Sequence, residues 1–173
     1  MASLIEAVLY LLHETSAAAI GHRAYGTCQS FDIPVTVTSN SSVYDIRRVD
    51  NNIDATAWAV ERDTWSFHQG ILENTTTTGT FNIHAQFCIP PSPKPDILQI
   101  ATHGLVYDHR YWDAKPELGT KYSYVNNALA AGYPILTYDR LSTGLSSKPD
   151  AYRVVQAPLQ LEDPALPHDV RTR

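Results

Sequence analysis

The stretch that decides the fold is residues 96–147, DILQIATHGLVYDHRYWDAKPELGTKYSYVNNALAAGYPILTYDRLSTGLSS. A first apolar run, Ile97–Thr102, stops at His103-Gly104, and a second run, Pro134–Tyr138, stops at Asp139-Arg140. Both runs are short, rich in β-branched and apolar residues, and bounded by polar residues and glycine. This composition is typical of short buried strands.

The segment between these two runs predicts a helix. Tyr122–Ala131 carries apolar residues at the three- and four-residue spacing of one helix face, and Gly132 follows at the position of a C-terminal cap. Two strands joined by a helix form a βαβ unit, whose strands are parallel. Because ligands collect at the carboxyl ends of parallel strands, we expect functional residues at His103-Gly104 and Asp139-Arg140.

The chain before this unit reads as antiparallel strands. Phe31–Thr38 and Thr80–Ile89 alternate apolar and polar residues, as half-buried strands do. Pro34 favours an edge position, because proline cannot donate a ladder hydrogen bond. His84 falls on the polar face of its strand, so we expect a solvated side chain rather than a ligand.

Two upstream segments have less regular patterns. The low-complexity segment Thr75–Thr78 ends at Gly79, which predicts a hairpin turn. Ala55–Val60 fits either a further strand or a short helix, and the pattern leaves both open.

Two motifs carry a resemblance to a known family. Ala101–Gly104, followed by Tyr138–Ser146, resembles the α/β-hydrolase superfamily and, more narrowly, the secreted esterase-like hydrolases of filamentous fungi. In that family His-Gly closes the third strand, and a D-R-x-G-x-G-x-S loop follows the fourth. The resemblance covers residues 28–161 and implies an incomplete α/β-hydrolase fold, with amino-terminal antiparallel strands followed by a parallel βαβ unit. Ser142 departs from the family, which usually has the first loop glycine there.

The resemblance also implies roles for individual residues. His103, Gly104 and Leu105 are candidates for the oxyanion loop, with the backbone N–H of Leu105 as the donor. The dipeptide is also expected to fit a tight turn that uses the backbone freedom of Gly104, and both roles can hold together. Asp139 and Arg140, with Gly144, are expected to anchor the second loop rather than to supply the catalytic acid.

The nucleophile of such a hydrolase is missing from the sequence. The pentapeptide G-x-S-x-G does not occur, and the nearest approach, Gly144–Lys148, lacks the closing glycine. We therefore expect a carboxylic-ester hydrolase of the serine type that is truncated before its nucleophile and inactive alone. The alternative is a non-catalytic secreted glycoprotein or a binding module built on half of the hydrolase fold.

Charge and composition restrict the partners. A net charge of −5 argues against nucleic acid, and no apolar run reaches the roughly 20 residues that cross a bilayer. We expect no cofactor and no metal, because no histidine pair has ligand spacing and Asp108 and His109 should point to opposite sides. A small-molecule ester substrate is implied by the resemblance alone. Ile97–Thr102 would be an apolar sheet edge, open to self-association.

Several features together indicate secretion. Within residues 1–19, an apolar run is followed by small residues. This pattern predicts a signal peptide, with an ordinary amphipathic helix as the alternative. Asn40 and Asn74 each begin a glycosylation triplet. Cys28 and Cys88 are expected to form one disulfide in a secreted chain; otherwise they are two unrelated thiols. Residues 162–173 lack an apolar period and are expected to form a disordered tail.

Overall fold

A computed structural model of the chain describes residues 20–45, 49–62, 70–94, 97–113 and 120–161. The predicted signal peptide, 1–19, and the predicted disordered tail, 162–173, lie outside the described residues. The strands of the described part are β1 (Ile20–Arg23), β2 (Gly26–Tyr44), β3 (Ile71–Ile89), β4 (Gln99–Thr102) and β5 (Ile135–Tyr138). Its α-helices are α1 (Asn52–Arg62), α2 (Tyr124–Ala130) and α3 (Ala157–Leu161), with 3₁₀ turns at His109–Trp112 and Thr120–Tyr122.

The strands form one mixed sheet in the order β1-β2-β3-β5-β4. β1 pairs with β2, and β3 with β5, in antiparallel fashion. β2 and β3 are also antiparallel, because Asp32 contacts His84, Thr36 contacts Thr80 and Thr38 contacts Thr78. β4 and β5 are parallel, with Gln99 opposite Ile135 and Thr102 opposite Tyr138. The expected combination of antiparallel strands followed by a parallel βαβ unit is therefore confirmed at this level.

Helix α2 is the crossover of this βαβ unit. Ser123 caps its first turn, since its hydroxyl accepts a hydrogen bond from the Asn126 N–H at 3.0 Å. Gly132 follows the helix with a φ of +85°, the left-handed conformation that glycine adopts most easily. The helix buries Val125 and Leu129 against the sheet, and removing a side chain such as Leu129 from this core would cost about 2–5 kcal/mol.

The core beneath α2 contains the disulfide. Cys28 on β2 and Cys88 on β3 are bonded, with Cα atoms 4.0 Å apart and 60 residues between them in sequence, which confirms the predicted pairing. Both are buried, together with Ala101 and Ile135. On the chain-entropy model, closing a loop of this length stabilises the fold by about 4 kcal/mol.

The predicted hairpin turn at Thr75–Thr78 is wrong. β3 runs unbroken from Ile71 to Ile89 through these threonines. Threonine is β-branched and favours extended backbone, and the hydroxyls of Thr38 and Thr78 lie 2.9 Å apart across the strand pair. A threonine run with a cross-strand partner thus extends the strand instead of turning.

The open alternative for Ala55–Val60 is resolved as helix α1. Asn51 begins it, because its side-chain oxygen accepts hydrogen bonds from the N–H groups of Ile53 and Asp54 at 2.9 and 3.0 Å. No helix in the described ranges is long and apolar enough to cross a membrane.

The chain divides into two compact units. The first comprises residues up to Thr36 together with Thr80–Pro149, and it contains the disulfide and the βαβ unit. The second comprises Val37–Gly79 and the residues from Asp150. Within the second unit, the Gln156 amide donates to the Ser42 carbonyl at 2.7 Å and accepts from the Ser42 N–H at 2.9 Å.

Candidate functional site

A row of polar side chains crosses the first unit at the carboxyl ends of β4 and β5. Ala85 pairs with Tyr138 in the β3–β5 ladder, so the next residues along, His84 and Asp139, are opposite each other, and the Asp139 N–H donates to the His84 carbonyl at 2.8 Å. His103 follows the last paired residue of β4, beside Asp139. Asp32 on β2 is next in the row, because its carboxylate Oδ1 lies 2.8 Å from His84 Nδ1. Four strands thus align four polar residues on one face of the sheet.

His103 joins the loops that follow β4 and β5. The ring is 2% exposed. Its Nε2 accepts a hydrogen bond from the Arg140 N–H at 3.0 Å, and its Nδ1 lies 2.8 Å from the Gly104 carbonyl. These partners assign the neutral tautomer that carries its proton on Nδ1. Since both ring nitrogens are engaged, His103 positions the two loops and is not available as a general base.

Asp139 is the centre of the second loop. The side chain is fully buried. It accepts hydrogen bonds from the His109 backbone and ring at 2.7 Å and from the Leu145 N–H at 2.8 Å. Burial works to raise the pKa of Asp139, but these hydrogen bonds outweigh it and lower the pKa to about 2 from an ordinary value of 3.8. The carboxylate therefore stays ionised while it holds the backbone of both loops.

Gly144 lies against this carboxylate. Its φ is +47°, and a Cβ added there would overlap the Asp139 side chain. Close approach of backbone to carboxylate therefore requires glycine at this position. Ser146 completes the loop: its hydroxyl donates to the Asp139 carbonyl at 2.7 Å and accepts from the His84 N–H at 2.8 Å. Both hydrogen-bonding functions of Ser146 are thus used within the fold.

The predicted oxyanion loop forms a turn at the surface. Gly104–Tyr107 closes with a long hydrogen bond from the Tyr107 N–H to the Gly104 carbonyl, 3.4 Å. The left-handed residue is Val106, with a φ of +64°, which indicates a type II turn. Leu105 is 81% exposed, and its N–H has no hydrogen-bond partner among the described residues.

This turn corrects the expectation that Gly104 supplies backbone freedom. Gly104 does not have a positive φ, and a Cβ there would meet only the Tyr107 ring, at 3.7 Å. The backbone freedom of glycine is therefore not what the turn needs at this position. Val106 occupies the position that would favour glycine instead, and a β-branched residue is strained there.

Ser142, which stands where the resembled motif usually has glycine, lies in a turn of the second loop. The loop turns at Arg140–Thr143, where the Thr143 N–H donates to the Arg140 carbonyl at 3.0 Å. Ser142 lies at the third position of this turn with a φ of +71°, where glycine is favoured. The chain thus keeps the glycine-type conformation although serine occupies the position.

Two expectations about histidines are wrong. His84 is mostly covered and not freely solvated: its side chain is 14% exposed, and Nδ1 lies 2.8 Å from an Asp32 carboxylate oxygen. Asp108 and His109 do not point to opposite sides, because possible ligand atoms of both lie within 4.8 Å of each other and of Asp139. The cause is the 3₁₀ turn at His109–Trp112, which Asp108 caps by accepting from the Arg110 N–H.

Asp108 is already paired within that turn. The Arg110 guanidinium donates to both carboxylate oxygens, with Nε at 3.0 and 2.9 Å. This hydrogen-bonded pair holds the pKa of Asp108 below its ordinary value. Asp108 therefore caps the turn beside the polar row and is paired with the Arg110 guanidinium.

One sequence signal could have found the contact between His84 and Asp32. A disulfide between neighbouring antiparallel strands fixes their register. Asp32 is four residues after Cys28, and His84 is four residues before Cys88. The two must then be opposite each other. The position of His109, by contrast, depends on the turn that Asp108 caps, which the apolar pattern does not reveal.

Comparison with known proteins does not add a family assignment. The scan against protein-family models found no matching family, and the search of curated proteins found no match.

Proposed function

We propose that this chain carries the oxyanion-loop side of a serine ester hydrolase of the α/β-hydrolase type, and that it does not hydrolyse esters by itself. The observation that carries the proposal is that the His103 ring contacts both loops. The buried ring binds the loops after two neighbouring parallel strands, at whose carboxyl ends Leu105 is an exposed residue. A backbone N–H in that place can donate to a developing oxyanion.

The chemistry that the chain lacks is equally specific. An acyl-transfer site needs an activated nucleophile and a base. Ser146 lies closest to the motif, but its hydroxyl is bonded to the Asp139 carbonyl and the His84 N–H. Loss of the nucleophile of such a triad reduces turnover by about a million-fold, of which a remaining oxyanion donor recovers a small part. We therefore expect no ester turnover above the buffer rate from this chain.

The first experiment measures hydrolysis of a chromogenic short-chain ester by the purified chain, together with labelling by a serine-reactive phosphonate. We expect neither turnover nor labelling. Turnover that the phosphonate abolishes would show a working nucleophile within these residues and would overturn the proposal.

The second experiment addresses the family assignment. The coding sequence downstream of Arg173 is read in all frames for G-x-S-x-G followed by an acid and a histidine; clean absence contradicts the proposal. If the motif is present, the chain extended to include it is compared with its Leu105→Pro and Leu105→Ala variants. Proline fits the second position of a type II turn but has no N–H. We expect Leu105→Pro alone to lose about 10²–10³-fold in kcat.

A second candidate function is a secreted glycoprotein that acts by binding. The disulfide favours an oxidising compartment. Asn40 and Asn74 are both exposed, on neighbouring strands, and the Ser42 hydroxyl donates to the Asn74 side-chain oxygen at 3.0 Å. The matching test is expression through a eukaryotic secretory pathway: loss of mass on deglycosylation supports this candidate, and an unmodified secreted chain opposes it.

We also propose that the chain self-associates through the edge of its sheet. β4 is the last strand in the sheet order and pairs with β5 alone among the described strands. Such an edge offers backbone groups to a second chain. Light scattering during gel filtration tests this: a concentration-dependent dimer is expected, and a strict monomer at high concentration contradicts it.

A further inference from the structure

Two histidine–carboxylate pairs lie side by side in the polar row. His84 Nδ1 is 2.8 Å from Asp32 Oδ1, and His109 Nδ1 is 2.7 Å from Asp139 Oδ1. The centroids of the two imidazole rings are 5.5 Å apart. The four residues come from β2, β3, the 3₁₀ turn and the end of β5, so it is the fold that assembles the cluster.

The carboxylates define the state of both rings. An ionised carboxylate only accepts hydrogen bonds, so each Nδ1 acts as the donor, which leaves Nε2 as the ring nitrogen that can coordinate a metal ion in the neutral imidazole. Within the described ranges, neither Nε2 has a hydrogen-bond partner, in contrast to His103, whose Nε2 accepts from Arg140. An imidazole whose second nitrogen donates to a carboxylate is the usual form of a metal-binding histidine.

The spacing of the rings fits one shared ion. Zn–N bonds of about 2.05 Å at a tetrahedral angle place two imidazole centroids about 5 Å apart, close to the observed 5.5 Å. Both side chains retain some exposure, 14% for His84 and 15% for His109, so an ion can reach them from solvent. Asp108 is nearby but is held by Arg110.

We propose that His84 and His109 bind one divalent transition-metal ion of the class that prefers imidazole, such as Zn²⁺, through their Nε2 atoms. Water completes the coordination. Asp32 and Asp139 are positioning residues, which orient the rings. The proposal is independent of ester hydrolysis, since no residue of the oxyanion turn takes part.

The experiment titrates Zn²⁺ into the chelator-treated full chain by calorimetry. The key variants are His84→Asn and His109→Asn, because the asparagine amide can replace the Nδ1 donor toward its carboxylate but lacks Nε2. His22→Asn is the control, on an exposed residue of β1. We expect one equivalent bound, at least a tenfold loss of affinity in each key variant, and no change in the control. Asp32→Asn should weaken binding by about tenfold.

A second measurement uses the unmodified chain and does not depend on the folding of any variant. Long-range ¹H–¹⁵N spectra of the histidine rings are recorded with and without Zn²⁺. The proposal predicts that the Nε2 signals of His84 and His109 move together at one equivalent. Absence of those shifts, or a dissociation constant weaker than about 1 mM, or equal weakening by His22→Asn, would overturn it.

Discussion

Replacing Asp139 by asparagine tests whether one buried carboxylate holds the two loops together. The carboxylate accepts from two N–H groups of His109 and from the Leu145 N–H. An asparagine keeps a single acceptor oxygen, so its NH₂ group must face a donor on one side. A buried donor left without an acceptor costs about 1–3 kcal/mol.

The charge adds a second, pH-dependent contribution. The pKa of Asp139 is lowered in the folded protein to about 2 from 3.8, which corresponds to roughly 2 kcal/mol of stability. Because the folded pKa is the lower one, this stability is present above about pH 4 and is lost as the pH falls toward 2. We therefore expect Asp139→Asn to lose about 3 kcal/mol at pH 7, and the difference from the unmodified chain to shrink in acid.

The assay is urea unfolding followed by far-ultraviolet circular dichroism at pH 7, 5 and 3, with the disulfide intact. Asp45→Asn, at an exposed carboxyl, is the matched control and should change stability by less than about 0.5 kcal/mol. The reasoning is refuted if Asp139→Asn unfolds within about 0.5 kcal/mol of the unmodified chain at pH 7, or if the difference stays constant down to pH 3.

Three further variants follow from the same loops and strands. Gly144→Ala places a Cβ in the Asp139 carboxylate and should cost about 2–3 kcal/mol in urea unfolding; a neutral result would mean that the loop can shift. Ser142→Gly relieves a left-handed serine and should raise the free energy of unfolding by up to about 1 kcal/mol; a loss of stability would contradict the turn geometry. Cys28→Ser with Cys88→Ser should lose about 4 kcal/mol, measured against the oxidised chain, and a loss below about 1 kcal/mol would show that the bridge does not limit the unfolded state.

The elements that local pattern determines could be predicted from the sequence. The two short apolar runs and the helix between them depend on residue spacing, and the helix stops shortly before Gly132, which adopts the left-handed conformation. The presence of two cysteines allowed a single disulfide, which was expected for a secreted chain. The threonine run misled the prediction, because its partner strand lies about 40 residues away and local composition does not show pairing.

The polar row could not be predicted in the same way. The environment of His84 depends on which residue of β2 is opposite it, and alternation alone leaves that register open. His109 reaches Asp139 because Asp108 caps a 3₁₀ turn. The spacing of apolar residues does not reveal such a turn. Buried polar contacts between distant segments are thus the part of the fold that pattern reasoning misses.

The bridge between Cys28 and Cys88 also acts against mispairing. A slide of β2 past β3 by two residues would keep every apolar side chain on its correct face, so the hydrophobic pattern tolerates it. The same slide would move the sulfur atoms roughly 7 Å out of line, beyond the reach of a covalent bond. Oxidation therefore selects, among slides that burial alone treats as equivalent, the alignment in which His84 meets Asp32, and a chain kept in a reducing environment has no such selection.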